Sequence, residues 1–100
     1  ANTKNTYWMV TVLIDPTLDW PKEKLMEALN AEGIDSRPFF HPLSSLPAYD
    51  GQAEALAARK RNEVSYRLSP WGINFPSALC LTRAQVQRVA DTLRRILGVL

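Results

Sequence analysis

The stretch Tyr7-Trp8-Met9-Val10-Thr11-Val12-Leu13-Ile14 decides how the rest of the chain is read. Aromatic and β-branched residues suit a pleated surface, and the alternate positions Trp8, Val10, Val12 and Ile14 make one wholly apolar side, so residues 7–14 are expected to form a strand. The other side still holds Tyr7, Met9 and Leu13, with Thr11 between them. A strand that is apolar on both sides is covered on both, so helices of this chain are expected over one face and something outside it over the other.

Downstream, residues 21–32 read as an amphipathic helix: proline is tolerated in the first turn, Leu25, Met26 and Leu29 share a face, and Gly33-Ile34 suits a left-handed C-terminal cap. Residues 34–40 read as a short strand, and Pro38, which donates no ladder hydrogen bond, places its end at a sheet edge. Pro42, Pro47 and the Asp50-Gly51 pair mark residues 41–51 as a loop. Residues 53–60 have good helix propensity, and Asn62 is a candidate cap for a second short helix over 63–69, stopped by Pro70 and Gly72. Whether these are one helix or two is open in the sequence. A third strand is expected at 73–76. Thr82-Arg83-Ala84-Gln85 is a capping-box pattern, and Val86, Val89, Ala90, Leu93, Ile96 and Leu97 then recur at helical spacing up to Gly98. The β-α-β-α-β-α order predicts an α+β fold: a small three-stranded, largely antiparallel sheet with helices packed on one face.

One hundred residues suffice for one domain that buries roughly two thirds of its unfolded surface, and a composition 46% hydrophobic and 22% charged is that of a packed protein. The polar residues 1–6 are expected to be a linker to a larger parent, and residues 7–100 a single small domain. A net charge of +2 is too small to point to nucleic acid or an anionic membrane. Cys80 is the only cysteine, so no internal disulfide forms. Its Ala-Leu-Cys-Leu setting suggests a small buried residue in a reducing, cytoplasmic protein. The apolar stretch at 7–14 is too short to cross a bilayer and the polar start makes no signal peptide, so a soluble protein is expected.

The catalytic inventory is thin: one histidine, one cysteine and no carboxylates paired by spacing, which leaves no triad and no metal-ligand set. Gly33, Gly51, Gly72 and Gly98 stand singly at turns and helix ends, not in a phosphate-cradling cluster. Arg59-Lys60-Arg61 reads as a solvated helix end, and Asp91 offers an intrahelical partner to Arg88, Arg94 and Arg95. Ser36-Arg37-Pro38-Phe39-Phe40-His41-Pro42 is different, since two prolines brace an arginine, two aromatics and the only histidine at a strand end. It reads either as the wall of a site, or as Phe39 and Phe40 in the core with Arg37 paired at the surface and His41 bonded to a backbone carbonyl.

Ser36-Arg-Pro-Phe-Phe-His-Pro-Leu-Ser-Ser-Leu-Pro-Ala-Tyr49, then Gly72-Ile-Asn-Phe-Pro-Ser77, then the Thr-capped final helix, resemble the C-terminal end of the DegT/DnrJ/StrS aminotransferases. These are pyridoxal-phosphate (PLP)-dependent enzymes of the aspartate-aminotransferase-like fold type I, which move an amino group, usually from glutamate, to keto-sugar nucleotides. The Arg-Pro-Phe-Phe-His-Pro version is most similar to perosamine-synthase-like members, which aminate the 4-keto position of a GDP-linked 6-deoxy sugar. Ser44 departs from the pattern, standing where many relatives carry histidine.

The resemblance implies a C-terminal small domain whose partner is the large PLP-binding domain of the same polypeptide, the holder of the Schiff-base lysine and the phosphate-binding groups. It implies that this chain supplies one wall of the substrate cleft and is not catalytic alone. Arg37 is then a candidate partner for an anionic group, with Phe40 and His41 as candidate packing and polar contacts. The parent is expected to be a homodimer built by its large domains, leaving the isolated fragment monomeric, and to serve deoxysugar synthesis for cell-surface polysaccharide. The residues agree on one point: Lys4, Lys22, Lys24 and Lys60 lie in a tail, a helix start or a basic run, not in the desolvated setting of a Schiff-base lysine. A stand-alone α+β ligand-binding or regulatory module is the rival reading, and a nucleic-acid binder ranks behind both.

Overall fold

The computed structural model describes residues 2–99; Ala1, at the start of the expected 1–6 linker, and Leu100, at the end of the expected 7–100 domain, lie outside the described residues. Three strands form the sheet: β1 (Val10–Leu13), β2 (Arg37–Pro38) and β3 (Gly72–Phe75). Four helices accompany them: α1 (Lys22–Ala31), α2 (Ala53–Arg61), α3 (Glu63–Leu68) and α4 (Arg83–Leu97). The strand order is β1-β3-β2, so the last strand in the chain is the central one. Both pairings are antiparallel, with Val10 opposite Phe75, Leu13 opposite Gly72, and Arg37 opposite Asn74. Pro38 stands on an edge strand, where its missing N–H costs nothing.

β1 is shorter than the expected strand because its partner stops. The ladder runs from Gly72 to Phe75 and meets Pro76, which has no N–H to offer Met9. Tyr7 turns the chain away with φ 53°, and the Ser77 hydroxyl donates to the Trp8 carbonyl at 2.7 Å where a ladder bond would have been. Past the other end of β1, Asp15 accepts from the Thr17 N–H at 2.9 Å and hydroxyl at 2.7 Å. The backbone bond first, and the hydroxyl after it, hold this exposed carboxyl below its usual range.

The pairing puts Val10, Val12, Ile73 and Phe75 on one face and Thr11, Leu13, Gly72 and Asn74 on the other. The first face carries the core: Ile14, Leu25, Leu29, Ile34, Ile73 and Phe75 are buried, and Val89, Leu93, Ile96 and Leu97 of α4 pack against them. α1 and α4 therefore cover this face. α2 and α3 do not pack on the sheet: α2 lies against a 3-10 turn at Leu43–Ser45, and α3 runs into another at Ser69–Trp71. The order is thus β-α-β-α-α-β-α, and two of the four helices lie on the sheet face where all were expected. The break between α2 and α3 is at Asn62, with φ −97° and ψ 43° and no side-chain cap bond, so its expected capping role is not used.

The helix ends follow their residues. After α1, Gly33 takes φ 70°, and the Ile34 N–H bonds the Leu29 carbonyl at 3.0 Å, which drops Ile34 into the core. At α4 both halves of the Thr82–Gln85 capping box are present and Gly98 closes the helix at φ 68°. Thr82→Ala is expected to cost about 0.5–2 kcal/mol of stability in chemical denaturation, because it strips the acceptor from the Gln85 N–H. An unchanged midpoint would show that the box contributes nothing.

Asp91 does not serve all three of Arg88, Arg94 and Arg95. It takes Arg94 at 3.2 Å and Gln87 at 2.9 Å, whereas Arg95 and Arg88 reach the end of α1, at the Glu32 carboxylate (2.9 Å) and carbonyl (2.7 Å). Interhelical reach wins because the C-terminal end of α1 presents both a charge and free carbonyls beside α4. Cys80 is exposed, contrary to its apolar neighbourhood: a turn closed by the Leu81 N–H on the Ala78 carbonyl lifts Leu79 and Cys80 off the body. Among the described residues no helix is long and apolar enough to cross a membrane, and no group of three or more His, Cys, Asp or Glu could hold a metal ion.

Candidate functional site

Among the described residues no helix lies over the second face of the sheet, and Leu13 is 48% exposed there. Its centre is Asn74, buried, which accepts from the Thr11 hydroxyl at 2.7 Å and donates to the Pro38 carbonyl at 3.3 Å. One side chain on the middle strand thus ties both edge strands. Beside it Phe39 lies over Gly72, so closely that a Cβ on Gly72 would meet the Phe39 Cβ at 2.5 Å and Cγ at 2.7 Å. The ring occupies the space that any other residue at 72 would need.

Beyond β2 the backbone leaves the ladder and needs other donors for its carbonyls. They come from side chains. Lys22 Nζ donates to the Phe39 carbonyl at 3.4 Å, the Ser69 hydroxyl to the Phe40 carbonyl at 3.1 Å, and the Ser45 hydroxyl to the Pro42 carbonyl at 2.7 Å. Lys22 also donates to the Ser69 carbonyl at 3.0 Å, its shorter bond, and is only 2% exposed. An irregular segment is therefore held in place while its middle side chains stay outside: Phe40 is 62% exposed and His41 is exposed, between the half-buried Phe39 and Pro42. Phe40 is not in the core.

Arg37, Phe40 and His41 are brought together around one open hollow of about 710 Å³, with Met9, Leu43 and Leu46 contributing to its apolar lining. Arg37 pairs with Asp35 at 3.1 Å, and both side chains are more than three-quarters exposed, so the guanidinium is held by nothing that a ligand could not displace. Ser44 is buried and bonded to the Tyr66 hydroxyl at 2.9 Å, while its carbonyl accepts from Arg59 at 3.2 Å. This ties the loop to α2 and α3. Arg59 also pairs with Asp50 at 3.4 Å, and Arg61 lies 3.9 Å from Glu54. A second groove, of about 390 Å³, runs between the start of β1 and α4 and is lined by Val10, Val86, Val89 and Leu93. It is mostly apolar, with Tyr7 and Ser77 at its rim, and brings together little that could do chemistry.

The sequence reading missed Asn74 and set Lys22 among the lysines that are not desolvated, whereas Lys22 is buried, drawn in by the Phe39 and Ser69 carbonyls. Asn74 in a β-branched and aromatic strand was a signal of a polar bridge; Lys22 had a subtler one, as a cation in the first turn of a helix, where acidic residues are favoured.

Residues 1–94 match the model of the DegT/DnrJ/EryC1/StrS aminotransferase family. The chain is similar to the GDP-perosamine synthase of Vibrio cholerae, 34% identical over 92 residues, which is 92% of this chain and 24% of that protein. It is also 31% identical over 94 residues to the GDP-perosamine synthase of Caulobacter vibrioides, covering 94% of this chain and again 24% of the relative. The chain thus spans about a quarter of the length of the curated relatives it matches.

Proposed function

The chain belongs to the DegT/DnrJ/EryC1/StrS aminotransferase family, and from that premise we propose that it is the C-terminal small domain of a PLP-dependent sugar-nucleotide aminotransferase. The parent transfers an amino group from glutamate to a keto-sugar nucleotide, with GDP-linked 4-keto-6-deoxy sugars as the substrate class suggested by the perosamine synthases it resembles. It works in the cytoplasm as a homodimer, in deoxysugar synthesis for cell-surface polysaccharide. This chain supplies one wall of the cleft, and the large domain of the same polypeptide supplies the other.

The observation that carries the reading is the uncovered sheet face beside the hollow. Leu13, Phe40 and Leu43 stand 48%, 62% and 74% exposed on or next to it, and the exposed side chains of Arg37 and His41 share its edge. An apolar surface rimmed by polar groups is what a cleft wall presents when its opposite wall is another domain.

The chain's own residues do not fit an anchor for PLP. Lys22 spends its ammonium on two backbone carbonyls, Lys24 lies 4.4 Å over the Trp20 ring, and the glycines with positive φ stand singly at turns and caps. No phosphate cradle is formed by such isolated positions. The cofactor belongs in this proposal to the large domain. Borohydride reduction of the isolated chain with PLP is expected to leave no stoichiometric adduct on a single lysine. The full-length polypeptide is expected to be trapped on one lysine outside these residues and to aminate a GDP-4-keto-6-deoxy sugar with glutamate. A site-specific adduct on the isolated chain, or a full-length protein that takes up no PLP, would overturn the assignment.

A further inference from the structure

We infer that Lys22 is a positioning residue for the candidate site: from its buried place at the start of α1 it sets where Phe40 and His41 stand at the hollow. The inference rests on the proposed function only in taking the hollow as the place where ligand is met.

Lys22 breaks two local rules at once. It puts a cation at the positive end of a helix, where a negative side chain is favoured, and it buries that cation to 2% exposure. For packing alone an apolar side chain of similar length would serve. What an apolar side chain lacks is donors, and donors are what this corner of the fold needs. Its ammonium reaches two backbone segments 30 residues apart in the chain, at the Phe39 and Ser69 carbonyls (3.4 and 3.0 Å). Ser69 answers by donating its hydroxyl to the Phe40 carbonyl at 3.1 Å. Lys22, Ser69 and residues 39–40 therefore close a small ring of hydrogen bonds. It holds the backbone immediately before His41, just where the β2 ladder has ended and Pro42 has not yet begun the next turn. A residue that violates local preference yet completes the bonding of a neighbouring irregular segment is placed there for that segment.

Heteronuclear NMR of the 100-residue chain tests this without any appeal to catalysis, so its failure and the failure of the aminotransferase reading are separable. Lys22→Met is expected to move the backbone resonances of Phe39, Phe40 and His41 and the His41 ring signals, and to lower backbone order over residues 39–41. The amides of α4 should keep their wild-type positions. Lys22→Arg, which retains donors for both carbonyls, is expected to recover most of the wild-type pattern. Ser69→Ala is expected to disturb the same three residues in the same sense but less, and it decides the matter if Lys22→Met does not fold. Unchanged Phe40 and His41 signals in the variant that folds would overturn the inference. So would a Lys22→Arg spectrum as disturbed as that of Lys22→Met, or changes spread evenly through α4.

Discussion

Gly72→Ala is expected to lower the unfolding free energy by about 1–3 kcal/mol, a fall in Tm of several degrees to roughly 20 °C for a domain of this size. The sign is not obvious in advance. Gly72 has φ −92° and ψ 139°, a conformation that alanine adopts freely, so loss of unfolded-state freedom alone would stabilise the variant by about 0.4–1 kcal/mol. The contact decides against that gain. The new methyl would lie 2.5 Å from Phe39 Cβ and 2.7 Å from Cγ, and the nearest atom sits on the first carbon of the side chain, so no rotation of the ring relieves it. The strands themselves must part. Thermal melts of Gly72→Ala, Phe39→Ala and the double variant check the account. Phe39→Ala keeps the offending Cβ and should rescue only part of the loss, whereas Phe39→Gly should rescue more. A Gly72→Ala variant as stable as the wild type would show that the sheet yields at this point.

Arg37→Ala or Arg37→Lys in the full-length enzyme is expected to lower kcat/KM by roughly ten- to a hundredfold, the effect of losing one charge-assisted contact of about 1.5–3 kcal/mol. Lysine is not an adequate replacement, because a guanidinium grips a carboxylate or phosphate through two parallel bonds. The same substitutions should barely move the Tm of the isolated chain. The ion pair with Asp35 joins side chains that are 77% and 76% exposed, and such pairs contribute about 0–1 kcal/mol. Steady-state kinetics beside a melt separate the two roles: unaltered kinetics with a clear loss of stability would make Arg37 a structural residue.

The elements that were legible in the sequence are those specified by their own neighbours. α4 shows its capping box, its periodic apolar face and its terminal glycine in one unbroken run from Thr82 to Gly98, and α1 ends where Gly33 and Ile34 end it. The first strand was legible in kind and not in length, because Pro76 cuts the ladder from the far end of the chain. Cys80 was misread for the converse reason: its neighbours are apolar, but a turn turns them outward. Arg37, Phe40 and His41 drew notice because they are contiguous and braced by prolines. Met9 joins them only through the sheet, and Lys22 only through the packing of α1 against β2 and the approach of Ser69. A cation in the first turn of α1 is a local oddity, but Lys24 shares it and stays exposed, so the turn alone does not report which of the two is buried.

The strand order β1-β3-β2 also governs when this protein can acquire its shape. Neither β1 nor β2 touches the other; each bonds only to β3, and the Thr11–Asn74 bond joins residues 63 apart in sequence. During synthesis the apolar stretch around Val10 and Val12 therefore waits without a strand partner until more than sixty further residues have emerged. Closing so long a loop draws on chain entropy before any contact repays it, which favours a late pairing of β3 with both edge strands. Any ribosomal pause or cleavage before β3 leaves a chain with three helices' worth of local structure and no sheet, and with its stickiest segment unguarded.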